Sequence, residues 1–310
     1  MTRLAAIDVG TNSVRLYVAE TQGARLRELD RDLTITRLGR GVDETKLLAD
    51  EPLRATLEAI ERYHARALEL GAVQVRVAAT SAVRDATNRS AFFHAVREAT
   101  DLDAELLSGR DEARLSFLGA TSELGGGGPF LVLDVGGGST ELVAGDREPA
   151  AWISLDVGSV RLTERHVRSD PPGGEEIDAI RADADSAIAR AREVVGHGAR
   201  TLVGLAGTIT TMAAIALRLE GYDRAAIHHA RLSLEQVRGV DATLRAMTIA
   251  ARRSLPVMPP GREDVIVAGS TILLRVMEGF SFDEVMVSEC DILDGLLLDL
   301  VAPVPREGGR

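Results

Sequence analysis

A single cysteine, Cys290, excludes an intrachain disulfide and a cysteine-rich zinc site. A single lysine excludes more. Lys46 sits in Glu44-Thr45-Lys46-Leu47, so the Gly-Lys-Ser/Thr of a Walker phosphate loop is missing. Schiff-base and pyridoxal chemistry have no other side-chain amine to use. No apolar run approaches the roughly 20 residues that span a bilayer. The amino terminus runs into an apolar strand without a signal-peptide pattern, so a cytoplasmic protein with no membrane partner is expected. Aromatics make up 3% of a chain that is 45% hydrophobic, which leaves the cores to Leu, Val, Ile and Ala. A net charge of −11 argues against nucleic acid as a partner. Phosphate remains open to such a chain where arginines, amides and a metal supply local positive charge.

What is present is one phosphate-loop pattern written twice. Ala5-Ala6-Ile7-Asp8-Val9-Gly10-Thr11-Asn12-Ser13-Val14-Arg15-Leu16 recurs as Val132-Leu133-Asp134-Val135-Gly136-Gly137-Gly138-Ser139-Thr140-Glu141-Leu142. Each copy is an apolar run ending in Asp, a Val-Gly, a small polar turn and a second apolar run. This reads as a β-hairpin whose turn exposes backbone amides beside a carboxylate. The repeat, in a chain of 310 residues, predicts two α/β domains with two anion cradles.

Alternating periodicities place strands near 3–9, 14–20, 26–36 and 73–79, a helix near 52–70, a turn at Thr80–Asp85 and helices near 89–99 and 110–120. Gly125 to Gly128 before Pro129 breaks the chain. Strands follow near 130–134, 141–145, 150–155 and 200–205, then 284–287, among helices near 174–195, 210–220, 233–250 and 261–279. The expected lobes are residues 1–124 and 125–290, with a carboxy-terminal helix in 291–310 returning to the first. The tail 303–310 is expected to fray.

The hairpin turns make Thr11, Asn12, Ser13, Gly136, Gly137, Gly138, Ser139 and Thr140 candidate phosphate contacts, because successive amides form an anion-binding nest. Gly207 and Thr208, between a strand and a helix, offer a third cradle, although such turns also need Gly and Thr for capping alone. Asp8, Asp134 and Glu141 are candidate Mg²⁺ ligands; Asp at a strand end also caps its own turn. Glu112 is a candidate base, with Asp111 competing for the role and helix-dipole compensation as the plainer reading of both. Arg84, after an apolar strand, has the fork to grip a phosphate. His228 and His229 are expected to diverge on a helix surface, Cys290 to pack as a small residue, and Trp152 to pack against the second sheet.

The motifs Ile7-Asp8-Val9-Gly10-Thr11-Asn12-Ser13, Ala79-Thr80-Ser81-Ala82-Val83-Arg84-Asp85, Leu107-Ser108-Gly109-Arg110-Asp111-Glu112-Ala113, Leu133-Asp134-Val135-Gly136-Gly137-Gly138-Ser139-Thr140-Glu141 and Gly204-Leu205-Ala206-Gly207-Thr208 occur in that order. At these residues the chain resembles the exopolyphosphatase / guanosine pentaphosphate phosphohydrolase (Ppx/GppA) family, within the actin, sugar-kinase and heat-shock-chaperone ATPase superfamily. The resemblance implies two actin-like, ribonuclease H-like domains around a central cleft. It implies Glu112 as the base, Asp134 and Glu141 near Mg²⁺ (with Mn²⁺ as a substitute), and Arg84 on phosphate. Asp111 stands where the family more often has Glu. The implied substrates are polyphosphate, guanosine pentaphosphate and its tetraphosphate relative, the nucleotides of the stringent response; a homodimer is one assembly open to it. Longer relatives carry extra carboxy-terminal helical domains, so short chains are the expected substrates here. A kinase of the same superfamily and a non-hydrolysing nucleotide sensor are the alternatives.

Overall fold

The computed structural model describes residues 1–23 and 25–301. The expected fraying of 303–310 lies outside them. In the first half, strands β1 (Arg3–Val9), β2 (Ser13–Gln22) and β3 (Arg25–Ile35) precede helices α1 (Val42–Thr45) and α2 (Asp50–Glu69). Then come β4 (Gln74–Ala79), α3 (Ser81–Asp85), α4 (Arg89–Thr100), β5 (Ala104–Leu106) and α5 (Gly109–Thr121). The second half opens with β6 (Phe130–Val135), β7 (Thr140–Gly145), β8 (Pro149–Leu155), α6 (Ser159–His166) and α7 (Gly174–Val195). It continues through β9 (Thr201–Leu205), α8 (Ala206–Ala216), α9 (Arg224–Ile227), β10 (Arg231–Ser233), α10 (Leu234–Ala246) and α11 (Ile249–Arg253). The described chain closes with α12 (Ile266–Phe280), β11 (Glu284–Val287) and α13 (Ile292–Val301).

Two mixed sheets result, and five strands of each share one topology, with β10 added antiparallel at the edge of the second. The first runs β3-β2-β1-β4-β5 and the second β10-β11-β9-β6-β7-β8. In each, a hairpin and a third antiparallel strand lie on one side, and parallel strands lie on the other: β4 beside β1, β9 beside β6. Strands β1 and β6 are buried along almost their whole length, which is why both read as unbroken apolar runs and not as alternation. Strand β3 is an edge, and its alternating charges keep that edge in water.

Helix α13 packs into the core of the first sheet. Ile292, Leu293, Leu296 and Leu297 are buried against Leu4, Ala6, Tyr17 and Leu115, each large apolar side chain contributing about 1.5–3 kcal/mol. Glycine permits the approach of α13 to α5. A β-carbon on Gly295 would overlap the carbonyl of Leu115, and one on Gly119 the carbonyl of Asp291.

Several local expectations differ from the fold. Thr80–Asp85 is not a turn, because residues 81–85 form α3. The segment 233–250 breaks at Met247, where the Thr248 hydroxyl accepts from Ala251 N at 3.2 Å and starts α11. Helix α8 begins at Ala206, before the expected 210, and α6 was not anticipated. Trp152 lies on β8 with 39% of its surface exposed. His228 and His229 follow α9 and stack at 3.7 Å between ring centroids, because His229 takes a left-handed φ of 62°.

Candidate active site

The two hairpins close with the same hydrogen bond. Gly10 N donates to Ser13 O at 2.9 Å, and Gly136 N donates to Ser139 O at 3.0 Å. Register then separates them. Asp8 faces Arg15 across the first ladder, whereas Asp134 faces Glu141 across the second. Directly opposed side chains share a face and interact, so the first cradle holds an ion pair and the second a pair of like charges.

The hairpins also touch one another. A β-carbon on Gly137 would come within 2.9 Å of Thr11 Cβ, and one on Gly138 within 2.7 Å of Ser81 Oγ. Only glycine admits this approach. Thr11 Oγ1 and Ser81 Oγ share a hydrogen bond of 2.8 Å beneath it. Between the sheets lies a cavity of about 550 Å³, lined by both turns, by Thr80 and Ser81, and by Gly207 and Thr208 at the start of α8. Ala206 turns the chain from β9 into α8 with a φ of 67°, a left-handed strain of about 1–3 kcal/mol for a residue with a side chain. The free amides and positive dipole end of α8 enter the cavity wall at that point.

Arg262 completes the wall. It is buried, donates Nη1 to Gly207 O and to Thr211 Oγ1 at 2.9 Å each, and has no carboxylate partner among the described residues. Burial pushes its guanidinium down to about 10, against the opposing pull of Tyr222 and Glu289 and with Arg15 adding repulsion. A buried cation in that state favours an anion beside it.

Three carboxylates, Asp8, Glu112 and Asp134, meet at the cavity floor, and a fourth, Glu141, is buried next to Asp134 outside it. Asp111 and Glu112 separate by geometry. Ser108 caps α5, accepting from Asp111 N at 3.1 Å and donating to Asp111 Oδ2 at 2.7 Å, so Asp111 is tied to the cap. Glu112 is buried in the cavity wall. Burial pushes it up to about 7, against the lowering effect of Arg84, with Asp134 and Asp8 adding repulsion. Asp134 is raised to about 6, chiefly by burial, although Ser116 Oγ donates to its Oδ2 at 2.7 Å. Burial and the charges of Glu112 and Asp134 raise Glu141 well above the usual range. Asp8 is raised by burial and lowered by Arg15, whose Nη2 donates at 2.7 Å.

The structure brings Thr11, Asn12, Ser13, Gly136, Gly137, Ser139, Gly207, Thr208, Asp8, Asp134 and Glu112 to the cavity. It does not bring the remaining candidates there. Arg84 lies behind Glu112, donating Nη1 to its Oε2 at 2.9 Å and to Leu107 O at 3.1 Å. Thr140 gives its hydroxyl to Val157 O at 2.7 Å. Gly138 faces Ser81 and Thr11, and its carbonyl accepts from Arg161 Nε at 2.6 Å. Glu141 is 1% exposed behind Asp134 and accepts from Ser154 Oγ at 2.7 Å. Arg15, Arg262, Ser116 and Asp291 escaped the sequence reading. Arg15 carried one signal: it stands where the second copy has Glu141.

The acidic floor fits a hard divalent cation. Asp8 Oδ1 is buried without a hydrogen-bond partner, and Asp134 and Glu141 oppose each other with raised affinities for protons. Oxygen donors of this kind suit Mg²⁺ or Mn²⁺, which need only one or two carboxylates when water and phosphate complete the shell. Among the described residues, the one tight trio of potential ligands lies elsewhere, at Glu123, His228 and Cys290. His228 Nδ1 accepts from Glu289 N at 3.0 Å, so Nε2 carries the proton that it shares with Glu123. A ligating histidine has the opposite arrangement, with its second nitrogen donating.

Known proteins resemble this chain along almost its whole length. The Ppx/GppA phosphatase family model matches residues 17–303. The chain is 42% identical to Exopolyphosphatase 2 of Mycobacterium tuberculosis, over 97% of this chain and 99% of that one. A crystal structure of an exopolyphosphatase-like protein superposes with a TM-score of 0.93 at 38% identity, covering 97% of this chain and 99% of the other. The Aquifex aeolicus Ppx/GppA family member gives 0.83 at 31%, covering 97% of both. With its doubled hairpin, its acidic floor and these relatives along almost its whole length, the chain belongs to the Ppx/GppA phosphatase family.

Proposed function

We propose that this protein is a phosphoanhydride hydrolase that releases orthophosphate from the end of a short polyphosphate chain. The observation that carries the reading is Glu112, a buried carboxylate in the wall of a cavity that both hairpin turns and the start of α8 also line. The two hairpin turns and the α8 amides hold the terminal phosphates, and Arg262 supplies a fixed positive charge. Glu112 orients a water molecule and takes its proton at the side-chain carboxylate, for which a proton affinity near neutrality suits a base. Arg84 holds that carboxylate in place. Asp134, with Glu141 behind it and Asp8 beside it, would hold Mg²⁺ or Mn²⁺, which supplies charge neutralisation on the phosphoryl oxygens.

Guanosine pentaphosphate is a second substrate on this reading. Leu33, Pro259 and Tyr222 give the cavity apolar wall beyond the phosphate turns, a surface that a nucleoside can cover and a bare phosphate chain cannot. The deciding experiment measures orthophosphate release from tripolyphosphate, long-chain polyphosphate and guanosine pentaphosphate with Mg²⁺ or Mn²⁺ and no acceptor. Glu112→Gln is expected to lower kcat by about 10²–10⁴-fold with substrate binding retained. Full turnover in that variant would remove Glu112 from the chemistry. Acceptor-dependent phosphate transfer would identify a kinase, and tight nucleotide binding without release a sensor.

A further inference from the structure

The basic residues at the far end of the cavity are already paired. The cavity runs along the β2–β3 face to Glu28, about 16 Å along β3 from Leu33, which is in register with Arg15 and, through it, with Asp8. There the two halves of the molecule join. Glu28 Oε2, on the first sheet, accepts from Arg224 Nη1 of α9 at 2.5 Å and from Arg31 Nε at 3.2 Å. Arg224 is anchored in turn on Glu289, through Nε to Oε2 at 3.3 Å and Nη2 to the backbone oxygen at 3.1 Å. Arg31 Nη2 is held by both oxygens of Asp294 at 3.0 and 3.1 Å.

The charges at this end oppose a longer anion. Both arginines are already neutralised, and the carboxylates of Glu28, Asp32 and Glu289 line the wall. Arg262, which also feels the charge of Glu289, has no carboxylate hydrogen-bond partner among the described residues and gives its Nη1 to Gly207 O and Thr211 Oγ1. A cavity of about 550 Å³ lies within the range of about 300–1,000 Å³ that holds one small molecule.

We propose that the Glu28–Arg224 ion pair is a strap across the end of the cleft and limits the length of phosphate chain that the protein takes. This rests on the phosphate-chain reading of the cavity. A short chain lies inside the closed strap. A longer one must part Glu28 from Arg224 and pass the carboxylates before its terminal phosphate reaches Glu112. The pair is thus a specificity element, distant from the reacting bond.

Glu28→Gln and Arg224→Met cut the strap from opposite sides. Each is to be assayed for orthophosphate release from tripolyphosphate and from a long-chain preparation. The ratio of kcat/KM for long over short chains is expected to rise about two- to fivefold in both variants, the worth of one part-exposed ion pair. An unchanged ratio, or a rise in one variant only, would overturn the strap. Calorimetric affinities for the same two chains, measured in the Glu112→Gln background, give the same ratio without turnover. Binding with no release from any chain would reject the hydrolase reading while still judging the strap by its affinity ratio; absence of binding by either chain would overturn both.

Discussion

Arg15 stands opposite Asp8 at the register position that Glu141 holds opposite Asp134. The duplicated hairpins therefore divide the labour. One is internally neutralised, with Arg15 also paired to Asp291 at the start of the last helix segment. The other accumulates negative charge that a bound cation would relieve.

Arg15→Met leaves Asp8 buried without its cation and Asp291 with only the more distant charge of Arg31. Removing one partner from a buried pair costs about 3–5 kcal/mol, so the urea midpoint at neutral pH is expected to fall steeply. Arg15 lowers the proton affinity of both carboxylates. Without it both rise, the native state binds more protons than the unfolded chain, and the variant loses stability as pH increases. A loss under about 1 kcal/mol would show that Arg15 is not their counter-ion.

The acid limb of the pH–rate profile should belong to Glu112. The base works deprotonated, so kcat/KM falls by about tenfold for each pH unit below its titration. Arg84 lowers the proton affinity of Glu112. Arg84→Gln removes that effect and moves the limb to higher pH. A limb left in place would assign the titration to another group.

Ser116 and Ser154 aim the two opposed carboxylates, each by a hydrogen bond of 2.7 Å. Ser116→Ala is expected to weaken Mg²⁺ by about 10–100-fold, with kcat at saturating metal nearer to wild type. The readout is the Mg²⁺ concentration for half-maximal release. The wild-type metal requirement in that variant would place the cation away from Asp134.

Gly295→Ala tests the docking of the final helix. Its β-carbon would enter the Leu115 carbonyl on α5, the helix that carries Glu112. Overpacking of this kind costs about 1–3 kcal/mol, to be read as a lower thermal midpoint. A midpoint equal to wild type would mean that α5 and α13 part easily.

Much of this molecule is legible in its order of residues, for identifiable reasons. Unbroken apolar runs ending in Asp reveal β1 and β6, because strands buried on both faces carry no polar alternation. Asp111 and Glu112 at the head of a periodic run near 110–120 reveal α5, because acidic residues favour a helix's first turn, and so where Glu112 enters. The break at Met247 was less visible, since helical periodicity continues across it and only the Thr248 cap marks a new start.

Local pattern was enough for the hairpins, their small turns and the acidic residues within them, because those features depend on neighbours a few positions apart. Which of the candidates reach the cavity was settled by packing between distant segments. Arg84 turned to Glu112, 28 positions away, and so left the wall. Arg262 entered it by reaching Gly207, 55 positions away. Arg15 met Asp291 across 276 positions. With 36 basic residues in the chain, all but Lys46 being arginine, composition cannot single out these three. Burial does, because a guanidinium removed from water must find a carboxylate, a carbonyl or an anion, and only the folded chain decides which is within reach.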